Sequence, residues 1–267
     1  MKKTLQLSNA FLFVSMVIVN YLSNTGLLNN TTIGEVSGGL NTLFTPAGYA
    51  FSIWGIIYLL VLGFVIYQGR SLFKSTKQDD FVETTGIWFA VSCLANISWV
   101  FSWIYEYTGL SCLFIFILLG ALLKIVWNNR MELYDAPLPT IVFLWWPFVI
   151  YSGWVTVASI ANISAYLIKI NWSGFGVSPV TWTILMIVIA LVINLWITWT
   201  RNMREFALVG AWALIAIAVA NKGIEMQIFY VASISAGLLI VSSTIHAYIN
   251  RKTNPIIKYL EYKKSKN

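Results

Sequence analysis

The chain has 267 residues, of which 58% are hydrophobic and only 10% charged, and its mean hydropathy is +0.75. Soluble domains carry about 25% charged residues, so water is excluded as the main solvent and no polar stretch is long enough for a separate soluble domain. The net charge of +7 would point to nucleic acid in a soluble protein; here it reads as orientation in a bilayer, and no nucleic-acid partner is expected.

A helix needs about 20 apolar residues to cross the hydrocarbon at about 1.5 Å per residue. In chain order the apolar segments are 5–23, 47–67, 86–105, 110–127, 140–168, 178–200, 206–220 and 228–250. The expected fold class is therefore all-α integral membrane, with about eight transmembrane helices. The first segment follows Lys2-Lys3 and reads as an uncleaved helix, since Ser23-Asn24-Thr25-Gly26 is a poor signal-peptide cleavage site. The longest connection, roughly 24–45, comes next. The seventh segment is the least secure, being short and ended by Asn221-Lys222-Gly223 before Glu225.

Charge tests this count. With both termini cytoplasmic, only Lys169 and Lys222 fall on the outer side, and every other Lys and Arg falls inside. A seven-span reading breaks that asymmetry. The tail 251–267 is basic and reads as a stop-transfer flank that touches anionic lipid. The expected setting is a bacterial plasma membrane.

Tryptophan usually marks the headgroup level. Trp88, Trp127, Trp145, Trp146, Trp172, Trp182 and Trp199 fall at segment ends, and Trp103 and Trp196 within a turn of one. Trp54, Trp99, Trp154 and Trp212 lie deeper. Hydrocarbon offers an indole N–H no acceptor, so these four face other helices or a cavity. Asn96, Asn162 and Asn194 also lie within segments, the first two in similar contexts, Leu94-Ala95-Asn96-Ile97-Ser98 and Ile160-Ala161-Asn162-Ile163-Ser164. Both readings stay open for them, as links between helices or as ligand contacts.

Pro147 removes a backbone donor and leaves the Phe143 carbonyl without its usual partner, which predicts a kink amid aromatic residues. Cys93 and Cys112 have neither disulfide nor zinc spacing and read as small buried residues. No Asp or Glu is expected at membrane depth, Glu205 and Glu225 included, which weighs against ion-coupled transport. His246 reads as a polar residue at a helix end, or as a single axial haem ligand.

These residues together resemble the tryptophan-rich sensory protein family, also called the translocator protein or TspO/MBR family. Its second helix opens with a Pro-Pro-Gly-Trp run leading to a Trp and then a Tyr; here Pro46, Gly48, Tyr49, Phe51, Trp54 and Tyr58 take those places. Its Asn-x-x-Trp pattern resembles Asn96-Ile97-Ser98-Trp99, and its last helix resembles Pro147 through Trp154 to Ala161-Asn162. Ala47 stands for the second Pro and Tyr49 for the first Trp, and the interval to Trp54 is one residue short. One residue turns a helix face by about 100°, so a bulge is expected there.

The resemblance covers roughly 1–172. It implies a five-helix bundle over 1–175, with a first loop folded over an aromatic pocket, followed by three additional helices over 176–250. It implies a ligand site made of Pro46, Tyr49, Phe51, Trp54, Tyr58, Asn96, Trp99, Pro147, Tyr151, Trp154 and Asn162. The implied ligand is a hydrophobic planar molecule, a porphyrin or a sterol; no cofactor is required, and a tetrapyrrole enters only as ligand. Expected partners are the lipid bilayer, that small molecule and a second copy of the chain. Three functions remain open at this point: a sensory or binding protein, a small-molecule transporter without carboxylate-based ion coupling, and an enzyme acting on its ligand.

Overall fold

The computed structural model describes residues 2–40, 42–73, 80–251 and 259–260. Most of the expected basic tail therefore lies outside the described residues. Every regular element among them is helical. The bundle starts with α1 (Lys2–Leu22), a short α2 (Ile33–Gly39), a 3-10 turn over Gly48–Ser52 and α3 (Ile53–Gly69). After α4 (Asp80–Thr85) come α5 (Trp88–Ile104) and α6 (Thr108–Asn128). A single turn, α7 (Leu138–Thr140), leads through a π-helical stretch at Ile141–Trp145 into α8 (Trp146–Lys169). The chain then forms α9 (Pro179–Arg201), α10 (Arg204–Asn221) and α11 (Met226–Ile249).

Seven of these stretches are long and apolar enough to cross a membrane, and α5, the eighth, is shorter. Its ends are set by backbone that leaves the helical region. Gly86 takes φ +56 just before it and Glu106 φ 56 just after, both left-handed conformations that end a regular turn. Capping fixes other boundaries. Ser178 accepts from the Thr181 amide at 3.1 Å while Pro179 opens α9, so the missing proline donor falls where none is needed. Thr32 and Glu35 form a capping box at α2.

The expected kink at Pro147 takes a specific form. In a π turn a carbonyl meets the N–H five residues on instead of four. The π stretch thus uncouples Phe143 from Pro147 and lets α8 begin with the proline in its first turn. The motif one residue short is resolved similarly. A 3-10 turn rotates about 120° per residue against about 100° in an α-helix. Five such residues, Gly48–Ser52, add about 100°, the rotation of the absent residue. No bulge is needed.

Two helices form the centre. The 138–169 stretch and α10 each have 67% of their apolar window buried, whereas α9 has 22% and α1 28%. The segment least secure in the sequence is thus among the most enclosed. Its buried Ala207, Ala211, Ala213, Ala216 and Ala218 allow close backbone approach, which drives helix association in lipid. Around this pair α5 packs on α6, α6 on α8, α1 on α3 and α5, and α11 on α9 and α10. At α1, Asn9 donates to the Gln68 Oε1 at 3.0 Å, a polar link between otherwise apolar helices.

The first turn of α10 lies against Gly153, about midway along 138–169: a Cβ there would stand 3.0 Å from the Phe206 carbonyl oxygen. Glu205 is consequently drawn inward. It borders a cleft with Ile53, Ile56 and Ile150, and its Oε2 is buried without a hydrogen-bond partner. Glu205 stands in the first turn of α10, at the helix end where residue counting places it.

Candidate functional site

The 3-10 turn at Gly48–Ser52 aims Phe51 and Trp54 toward α8, where Trp154 meets both edge-on, with ring centroids 6.1 and 6.3 Å away. Trp54 is the hub. It stacks on Tyr58 at 5.5 Å, meets Tyr151 edge-on at 5.6 Å and lies 6.2 Å from Trp99. Trp99 stacks in turn on Trp103 at 6.1 Å. Rings at these separations hold one another by dispersion and quadrupole interactions.

The asparagines organise this layer. Asn162 Oδ1 accepts from the Trp99 indole at 3.1 Å and from Ser111 Oγ at 2.9 Å, which joins α5, α6 and α8 at one atom. Asn96 donates to the Tyr151 hydroxyl at 2.9 Å and accepts from Asn20 at 2.6 Å. Both side chains therefore link helices, and Asn162 also borders the cavity described next.

Between these rings lies a cavity lined by Pro46, Phe51, Trp54, Trp99, Trp154 and Asn162, with Trp103 and the small residues Ala158 and Ala161 completing the wall. Helix α2 and its flanks roof it through Ile33, Ser37, Thr42 and Thr45. Three side chains pin this roof. Trp103 donates to the Ile33 carbonyl at 3.2 Å, Asn29 to that of Ile104 at 3.0 Å, and Asn221 to that of Leu43 at 2.9 Å. The space open to the centre of a water is about 40 Å³, room for about three waters at 10–15 Å³ each.

One atom stands out. Trp154 is 3% exposed, and its Nε1 is buried with no hydrogen-bond partner, on a side chain that lines this cavity. By contrast, the indoles of Trp99, Trp103 and Trp212 all have protein acceptors.

A family model described as TSPO-like protein matches residues 6–245. The chain belongs to the TSPO-like protein family. Neither a curated protein nor a solved structure matches it. This TSPO-like chain is a multi-pass integral membrane protein, and its family is one of membrane sensory and binding proteins. The match runs through α9 and α10 and into α11, beyond the 1–172 legible as a resemblance. The packing agrees: Trp212 of α10 donates to the Ala50 carbonyl at 3.2 Å, and the Ala47 amide to that of Ala216 at 3.0 Å.

The remaining residues expected in the site do not border the cavity. Tyr58, Asn96 and Tyr151 form its second layer behind Trp54. Tyr49 is 43% exposed and meets Trp212 edge-on at 5.2 Å. Pro147 is buried about one turn before Tyr151, where it serves the helix path described above. Trp103, assigned by position to the headgroup belt, is instead a buried wall residue, and Trp145 is likewise buried, against Tyr134. Residue counting cannot distinguish these from true belt residues, because the 24–45 loop covers Trp103 at the end of α5 and Tyr134 of the α6–α7 connection packs on Trp145. His246 stands in the last turn of α11, at a helix end as expected, and is 2% exposed.

Proposed function

We propose that the chain binds a hydrophobic, planar or polycyclic ligand, of porphyrin or sterol kind, in the aromatic cavity under α2. The observation that carries this reading is the unpartnered indole N–H of Trp154, a side chain that walls the cavity together with other aromatic rings. A buried donor without an acceptor costs about 1–3 kcal/mol, and lipid supplies no acceptor to relieve it. A ligand with an apolar body and one oxygen or nitrogen acceptor would relieve it, stacking on Trp54 and Trp99 as it does so. A sterol hydroxyl or a porphyrin carboxylate is an acceptor of this kind.

The cavity as it stands is too small for such a molecule. Binding therefore requires α2 and its flanks to swing outward, releasing the contacts from Trp103 and Asn221, while the Trp99–Asn162–Ser111 junction holds the floor. The site is thus a closed receptor that opens for its ligand.

Absorbance titration of protoporphyrin IX into the detergent-purified chain tests this. Saturable one-to-one binding, weakened at least tenfold in Trp54→Ala, is expected. A linear, unsaturable response, or an unchanged affinity in that variant, would overturn the reading.

A further inference from the structure

On the side of the bundle, α10 runs beside α3 and α8 and leaves a cleft of about 330 Å³ that shares no residue with the aromatic cavity. One wall is a stripe of α10. Glu205, Leu208 and Trp212 border the cleft and stand at i, i+3 and i+7, so they share one helix face. The first and last of them lie about 10 Å apart along the helix axis. Ile53 and Ile56 of α3 and Ile150 of α8 form the facing wall. Ile56 is 57% exposed and Leu208 46%. The cleft therefore opens sideways, onto the surface that these apolar spans turn to lipid.

Among the described residues Glu205 is the only charged one that borders this cleft. Its side chain is half-buried, and its Oε2 is buried without a hydrogen-bond partner. No hydrogen bond or ion pair from the described residues reaches the carboxylate. Arg204, its neighbour in the chain, lines a separate cavity and interacts with His246 instead. The amino end of α10 favours a negative charge nearby, but that field leaves the oxygens unbonded. A carboxylate among isoleucines with no counter-charge is costly. Beyond it the cleft offers one hydroxyl, that of Ser52, and apolar surface.

We propose that this cleft binds a lipophilic primary ammonium, its head donating to the Glu205 carboxylate and its apolar body lying along Ile53, Ile56, Ile150 and Leu208 toward Trp212. The pair forms away from bulk water, where a charge-assisted hydrogen bond is short and strong. A neutral alcohol would give the acid no counter-charge, and an anionic ligand would be repelled. A phosphatidylethanolamine headgroup also carries an ammonium, but its phosphate would meet no Lys or Arg among the described residues of the cleft. The occupant is therefore a free amine with one positive end, not a zwitterionic lipid. The distance of about 10 Å from acid to indole suits a slender chain such as octylammonium. This assignment is independent of the aromatic cavity and its ligand.

Isothermal titration of the full chain in phosphatidylcholine nanodiscs tests it, with octylammonium chloride as probe and empty nanodiscs as the measure of lipid partitioning. Ethylammonium chloride, 1-octanol and sodium octanoate separate the charge from the apolar body. Octylammonium should bind saturably, one to one and at least tenfold tighter than any of the three. Glu205→Gln, which keeps the shape and removes the charge, should lose tenfold or more. Leu208→Trp, which fills the cleft and keeps the acid, should do the same. Gel filtration and thermal melting check that each variant is folded, and where one is not, the other carries the test. Octylammonium binding no better than the controls, heat no greater than that of empty nanodiscs, or wild-type affinity in a folded variant would overturn the proposal. Nanodiscs containing phosphatidylethanolamine should leave the affinity unchanged; loss of binding there would make the headgroup the occupant and would also overturn it.

Discussion

Trp212 donates its indole N–H to the backbone carbonyl of Ala50 at 3.2 Å, which fastens α10 to the 3-10 turn that aims Phe51 and Trp54. The carbonyl also accepts from Ile53, so the contact adds a tie without rescuing an orphan. Trp212→Phe should cost about 0.5–1.5 kcal/mol, the net worth of one hydrogen bond, read as a lower melting temperature in detergent. It should also weaken ligand binding in the aromatic cavity, because the turn loses its anchor to α10. Unchanged melting would mean that the C-terminal helices do not support the site.

Gly210 and Asn194 form a close contact between α10 and α9. A Cβ on Gly210 would lie 2.5 Å from Asn194 Oδ1, well inside contact distance. Gly210→Ala should destabilise by about 1–3 kcal/mol, as overpacking does. The double variant Gly210→Ala, Asn194→Ala should recover most of that loss, since the obstructing group is a side chain. Gly153→Ala meets the Phe206 backbone at 3.0 Å, so trimming a side chain should not relieve it. Thermal melting of the single and double variants distinguishes the two cases.

The roof over the aromatic cavity is held at Trp103 and Asn221. Trp103→Phe and Asn221→Ala should raise hydrogen exchange across 33–45 without disturbing α8. If roof opening limits access, both should also speed protoporphyrin association, measured by stopped flow. Slower association in either variant would contradict the closed-receptor reading.

Trp99 and Ser111 share one acceptor on Asn162. Asn162→Leu leaves the buried Trp99 indole without its acceptor, at about 1–3 kcal/mol, while Ser111 keeps the Thr108 carbonyl at 2.8 Å. The expected result is a larger stability loss than any single roof variant gives, together with loss of the porphyrin-binding signal. A melting temperature within the range of the roof variants would remove Asn162 as the floor junction.

The sequence made the helix positions legible because about 20 apolar residues per crossing is a strong constraint, and the deep tryptophans legible because an indole in lipid needs a partner. Trp54, Trp99 and Trp154 do converge. Other features depend on tertiary relations with no local signal. The cleft that Glu205 borders follows from where α10 packs beside α3 and α8. The burial of Trp103 follows from a loop folding back over its helix end. The enclosure of α10, whose composition looked marginal, comes from its alanines, which lower hydropathy while permitting close packing. Even the shortened motif was half legible: the missing rotation could be counted, but not that a 3-10 turn rather than a bulge would restore it.

Nitrogen-15 NMR of indole-labelled protein in detergent, with Trp154→Phe to assign the resonance, addresses the unpartnered Trp154 donor directly. On saturation with cholesterol, which carries no aromatic ring current, the Trp154 indole proton should move downfield as it gains an acceptor, while that of Trp99, already bonded to Asn162, moves much less. A Trp154 resonance that stays in place at saturation would contradict the proposed site.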